Sequence, residues 1–139
     1  MTTVRIVRIE PYHKIYGMLV PILAQRLLES LQNLGDESGI IVTNFMASLW
    51  ARSPDVILLA AIDPAGKIKG YAAAVAQQNE TVMIKPRLDE PTENDAVKEM
   101  IDHIENWSRD KNITYLTLTD RRADPPWIKK HGFKITRYV

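Results

Sequence analysis

The sequence has no cysteine at all. Disulfides, thiolate metal ligands and a cysteine nucleophile are therefore excluded. Histidine is nearly as scarce. His13, His103 and His131 are scattered and form no metal-ligand spacing, so no metal site is expected. Long apolar runs are missing too, and "MTTVRIVRIE" lacks the apolar core of a signal peptide. A cytosolic-type protein is the expectation. Neither charge sign dominates. Eighteen basic residues against seventeen acidic leave a net charge of +1. That balance predicts no nucleic-acid or membrane partner. No internal repeat and no low-complexity segment appears.

What is present suits one globular domain, residues 1–139. The chain is 45% hydrophobic and 25% charged, and 139 residues suffice to bury a core without staples. "VRIVRI" (Val4 to Ile9) alternates apolar with basic, the pattern of a half-buried strand. A helical stretch follows with Ile15, Met18, Leu19, Ile22, Leu23, Leu27, Leu31 and Leu34 on one broad apolar side. Pro21 should kink or divide it, and Gly35 should stop it. "VTNFMASLWARSP" predicts a short helix capped by Thr43 or Asn44, with Phe45, Met46, Leu49 and Trp50 facing inward.

"DVILLAAIDPAGKIKGYAAAVAQ" reads as two strands joined by a Pro-Gly turn. Gly70, Ala72, Ala74 and Ala76 give the second strand a small-residue face that lets a helix or strand approach closely. "TVMIK" predicts a third strand. After an acidic loop, Val97, Met100, Ile101, Ile104 and Trp107 recur at helical spacing. "ITYLTLTD" predicts a strand, "PPWIKKHGF" a short helix ended by Gly132, and "FKITRYV" a final strand. The order implies an α/β (α+β) chain, a mixed sheet with helices on its faces.

This order resembles the GNAT superfamily of N-acetyltransferases over nearly the whole chain. "VILLAAIDPAGKIKGYAAAVA" resembles that family's central hairpin. "NDAVKEMIDHIENWSRDKNITYLTL" resembles its long helix and following strand, and "PPWIKKHGF" its closing helix. More narrowly, "IENWSRDKNITYLTLTDRRADPPWIKKHGF" is similar to small GNAT-like proteins encoded by tailed phages. The resemblance implies a mostly antiparallel central sheet. It also implies acetyl-CoA as cofactor if the chain is an enzyme, gripped through Met83, Ile84, Lys85 and Arg87. A phage-encoded chain would lie within a virion rather than the cytoplasm.

The family's pyrophosphate loop, Arg/Gln-x-x-Gly-x-Gly/Ala, is not matched. Aligned from Arg87, the glycine positions hold Glu90 and Thr92; counted back from the helix, they hold Asp95 and Val97. Glycines let backbone N–H groups close on the anion. This loop, "KPRLDEPTENDAV", instead carries Asp89, Glu90, Glu93 and Asp95. Several like-charge contacts at about 1 kcal/mol each would cancel a helix-terminus gain of similar size. The same acids are ordinary helix-start chemistry, with Asn94 or Asp95 as cap.

Ile128 stands where many members carry the tyrosine that protonates the leaving thiolate, and Ile128 cannot transfer a proton. Asp63, Glu80, Asp120 and His131 are other titratable candidates, and no catalytic residue is assigned. Arg121 and Arg122, with Trp127, Lys129 and Lys130, form a basic segment suited to an acidic partner surface. Met with the acidic loop of a second copy, it would make a head-to-tail contact. The expectation is a GNAT-fold chain with a degenerate acyl-CoA site, needing no cofactor and working as a structural or assembly protein. The alternative is an acyl-CoA-dependent N-acetyltransferase acting on an amine.

Overall fold

The structure is a computed structural model and describes residues 3–31, 36–77, 79–90, 92, 95–113, 115–118 and 134–138. In chain order the elements are β1 (Arg5–Arg8), α1 (Lys14–Leu31), α2 (Asp36–Trp50), β2 (Val56–Ile62) and β3 (Ile68–Gln77). They continue with β4 (Glu80–Leu88), α3 (Ala96–Asp110), β5 (Tyr115–Leu118) and β6 (Lys134–Tyr138). The six strands form one sheet in sequence order. Strands β1 to β4 pair antiparallel, whereas β4–β5 and β5–β6 pair parallel. Each parallel step demands a crossover, and α3 supplies the first. The expected mixed, mostly antiparallel sheet is what the chain forms.

Both faces of the sheet are covered, so β2 is apolar throughout rather than alternating. On one face, Leu58, Ala60, Tyr71, Ala73, Val75, Val82 and Ile84 pack beneath α1 and α2. On the other, Ile57, Leu59, Ala61, Ala72, Ala74 and Met83 pack beneath α3. The alanine face of β3 thus receives a helix, as its small side chains predict. Gly70 serves the neighbouring strand: a Cβ there would lie 2.3 Å from the Arg87 carbonyl oxygen. The β2–β3 turn is built by Asp63, whose Oδ1 accepts from the Ala65 and Lys67 N–H groups at 3.0 and 2.8 Å. Gly66 takes φ +87°, where a side chain would be strained.

Five expectations need correction. Pro21 does not divide α1. Its ring faces the Gly17 carbonyl, and both residues lie on the exposed side, where a carbonyl can tilt toward water. Met18 and Ile22 do not face the core: Tyr16, Leu19, Val20, Leu23, Ala24 and Leu27 fill the sheet side, leaving these two outside. Thr43 and Asn44 do not cap α2, because the helix begins seven residues before Thr43, at Asp36. Its Trp50 is exposed, while Ile41, Val42, Phe45 and Leu49 are buried. Finally, β4 does not end at Lys85 but runs to Leu88, so the first residues of the acidic "loop" are strand. Leu34, Gly35 and the "PPWIKKHGF" segment up to Phe133 lie outside the described residues.

Candidate functional site

The sheet is least regular along β4. Tyr71 pairs with Arg87 and Ala73 with Ile84, so Ala72 alone faces both Lys85 and Pro86. That is a β-bulge, and proline fits it because no ladder N–H is demanded there. On the other side, β5 pairs with β4 from Glu80↔Tyr115 to Met83↔Leu118 among the described residues. β4 itself continues through Ile84 to Leu88.

Three of the four residues assigned to cofactor are placed beside this bulge. The Met83 side chain is buried under α3 and Ile84 under α1 and α2, so these two offer a ligand only main chain. Lys85 is half-buried, and its carbonyl accepts from the Arg26 guanidinium of α1 at 3.1 Å. The fourth, Arg87, is exposed at the strand's end, with Nε 3.9 Å from Asp89. Sequence reading missed Arg26. It stacks over the buried Tyr71 ring at 5.4 Å from the centroid and ties α1 to the bulge. Its signal was present: it is the first charge after the uncharged run Ile15–Gln25.

The acids do not form one ring. Glu90 pairs with Lys69 at 3.0 Å, and that hydrogen bond holds the Lys69 ammonium above its ordinary pKa. Asp89 stands by Arg87. Asp95 alone occupies the start of α3, where its side chain accepts from the Lys98 N–H at 3.2 Å. Glu99 adds a second acid in the first turn, and the Lys98 ammonium is drawn to Asp102 instead, at 3.1 Å. The helix N-terminus thus already holds a carboxylate of its own chain, which satisfies an amide that an anion would otherwise take. Glu93 and Asn94 lie outside the described residues.

The other candidates separate. Asp63 is committed to its turn. Glu80 starts β4 opposite Gln77 and Tyr115, roughly 25 Å from Leu88 at strand rise. Asp120, Arg121, Arg122, Trp127, Ile128, Lys129, Lys130 and His131 all lie outside the described residues. Among the described residues no group of three or more His, Asp or Glu is placed to hold a metal. No described helix is long and apolar enough to cross a membrane.

No protein-family model and no curated protein matches the sequence. Solved structures do match. A Clostridium acetobutylicum protein classed as an acetyltransferase, solved with acetyl-CoA, aligns over 95% of this chain and 90% of its own. Its TM-score is 0.58 and its identity 18%. A Pyrococcus furiosus protein classed as an acetyl transferase aligns over 94% and 93%, with TM-score 0.57 and 14% identity. A Bacillus subtilis protein classed likewise aligns over 99% and 96%, with TM-score 0.50 and 17% identity. The likeness is one of fold: the chain has the GNAT acetyltransferase fold.

Proposed function

We propose that this GNAT-fold chain does not grip acyl-CoA through the start of α3 and works as a non-catalytic structural or assembly protein. One observation carries the reading. The Asp95 carboxylate caps the N-terminus of α3, with Glu99 in the same turn and no glycine in the loop before it. A pyrophosphate there would displace a cap worth about 1 kcal/mol and meet like charge. The narrower form, a component of a tailed-phage particle, rests on the sequence resemblance of the Ile104–Phe133 segment alone. Its partners would then be other protein subunits, met through Arg121, Arg122, Trp127, Lys129 and Lys130.

A specific feature favours a second reading, an acyl-CoA-dependent N-acetyltransferase of an unidentified amine. β4 bulges at Lys85 and Pro86, within the strand through which the family resemblance would hold an extended ligand. The similar Clostridium protein was solved with acetyl-CoA. Calorimetric titration with acetyl-CoA separates the two. The proposal expects no heat of binding at 100 µM protein, on the order of the weakest cofactor affinity of interest. It expects Asp95→Asn, which keeps the cap but loses its charge, to bind more tightly than the wild type. Micromolar binding by the wild type, weakened by Arg87→Ala, would establish the second reading instead.

A further inference from the structure

Two buried tyrosines carry an arginine over their rings, and only one of them has used its hydroxyl. Arg52 lies 5.0 Å from the ring centroid of Tyr16, whose hydroxyl donates to the Leu49 carbonyl at 2.8 Å. Arg26 lies 5.4 Å from the ring centroid of Tyr71. Tyr71 is only 6% exposed, yet its hydroxyl makes no hydrogen bond among the described residues. A phenol this buried ordinarily has a partner. The side chains packed with it under α1 and α2 are apolar and supply none. Cations do gather beside it. Tyr71 pairs with Arg87 across β3 and β4, and directly opposed residues put their side chains on one face of a sheet. Arg26 reaches the same place from α1, held by the Lys85 carbonyl at 3.1 Å.

We infer that Tyr71, Arg26 and Arg87 form a binding site for a small carboxylate-bearing molecule. The inference goes beyond the proposed function, since it needs neither acetyl-CoA nor catalysis. A guanidinium carbon centred over a phenol ring lies roughly 6 Å from the hydroxyl oxygen. One carboxylate spans such a gap. One of its oxygens accepts from the hydroxyl and the other from a guanidinium, at roughly 2.6–2.9 Å each. The neighbouring acids set the charge of the ligand. Glu90 is tied to Lys69 at 3.0 Å and Asp89 stands 3.9 Å from Arg87, so an incoming anion meets both carboxylates. A phosphate dianion would meet them with twice the repulsion of a carboxylate. The site therefore suits the singly charged group.

Titration of the full chain with sodium acetate, followed by NMR against sodium chloride of equal ionic strength, is the test. The backbone amides of Tyr71, Lys85 and Arg87 should shift and saturate, with a Kd on the order of millimolar. Tyr71→Phe keeps the ring and removes the hydroxyl, and it should weaken acetate about 10-fold. Arg26→Lys keeps the charge but loses the planar fork, and it should weaken acetate as well. Tyr16→Phe should leave the affinity unchanged. Thermal unfolding gives a second readout. A hydroxyl without a partner in the fold supports nothing, so Tyr71→Phe should melt where the wild type does. Shifts that do not saturate beyond those in chloride overturn the proposal, as does an affinity that Tyr71→Phe leaves intact. A clear loss of stability in Tyr71→Phe overturns it too, because the hydroxyl would then be bonded within the fold. Tighter saturation by inorganic phosphate than by acetate overturns the carboxylate assignment. None of these outcomes depends on whether acetyl-CoA binds.

Discussion

Two helical layers cover the two faces of one sheet, and they meet solvent in opposite ways. α3 buries Ala96, Met100, Ile101, Ile104, Trp107 and Ser108 and presents charge on its other side. Lys98 pairs with Asp102 at 3.1 Å and Arg109 with Glu105 at 2.8 Å, both one helical turn apart. Such pairs add only tenths of a kcal/mol each, but they keep the surface wet. α1 and α2 bury as regular a stripe and present Met18, Ile22, Ile40 and Trp50 outward. The difference shows that amphipathicity, rather than hydrophobicity, tells where a helix ends its contacts. α3 is finished by the sheet; the α1–α2 layer is not.

The attachment of each layer to the sheet can be broken separately. The largest effect is expected in the α1–α2 layer. Phe45 is fully buried there, and Phe45→Ala should cost about 3–5 kcal/mol in urea unfolding, by lost transfer plus the cavity left behind. A loss under 1 kcal/mol would mean that the α1–α2 layer is not packed as described. On the α3 side, the buried hydroxyls of Thr81 and Ser108 lie 2.7 Å apart and tie the helix to β4. Ser108→Ala should cost about 1–3 kcal/mol by leaving the Thr81 hydroxyl buried alone. Pairing it with Thr81→Val should recover much of that loss. If the double variant is as unstable as the single, the pair is not the anchor.

The smallest effect concerns Tyr16. Burial pushes its phenol pKa up, and the nearby Arg52 guanidinium, 5.0 Å over the ring, offsets part of this. A raised folded pKa means that the fold holds the proton more tightly than the unfolded chain. The stability is therefore complete below the ordinary phenol value of about 10 and falls as the pH rises from there through the folded value. Tyr16→Phe should cost about 1 kcal/mol at pH 7, through the lost bond to Leu49, and flatten the alkaline decline. An alkaline slope identical in both proteins would show that another group titrates.

The site was legible in part. That Asp95 caps α3 follows from a short acid placed before an apolar-periodic run, and the structure bears it out. That β4 runs on to Leu88 was hidden, because Pro86 reads locally as a strand breaker. The bulge that accommodates it depends on Gly70 of the neighbouring strand letting the Arg87 carbonyl approach. Arg26 stood out in the sequence only as the first charge after an uncharged run; its role could not be read there, since its partners Tyr71 and Lys85 are 45 and 59 residues away in the chain. Of the four acids that are neighbours along the sequence, the three described ones have separate partners. In space, Glu90 is taken by Lys69 and Asp89 stands beside Arg87.

By itself the sequence determined the strand and helix types, the β2–β3 turn, the α3 cap and the absence of thiol chemistry. Each of these rests on neighbours within a few residues, where periodicity and backbone preference act directly. Only the tertiary structure decided which side of α1 and α2 is core. Where a helix is apolar all round, its pattern has no preferred side, and the choice falls to the side chains of the sheet it meets.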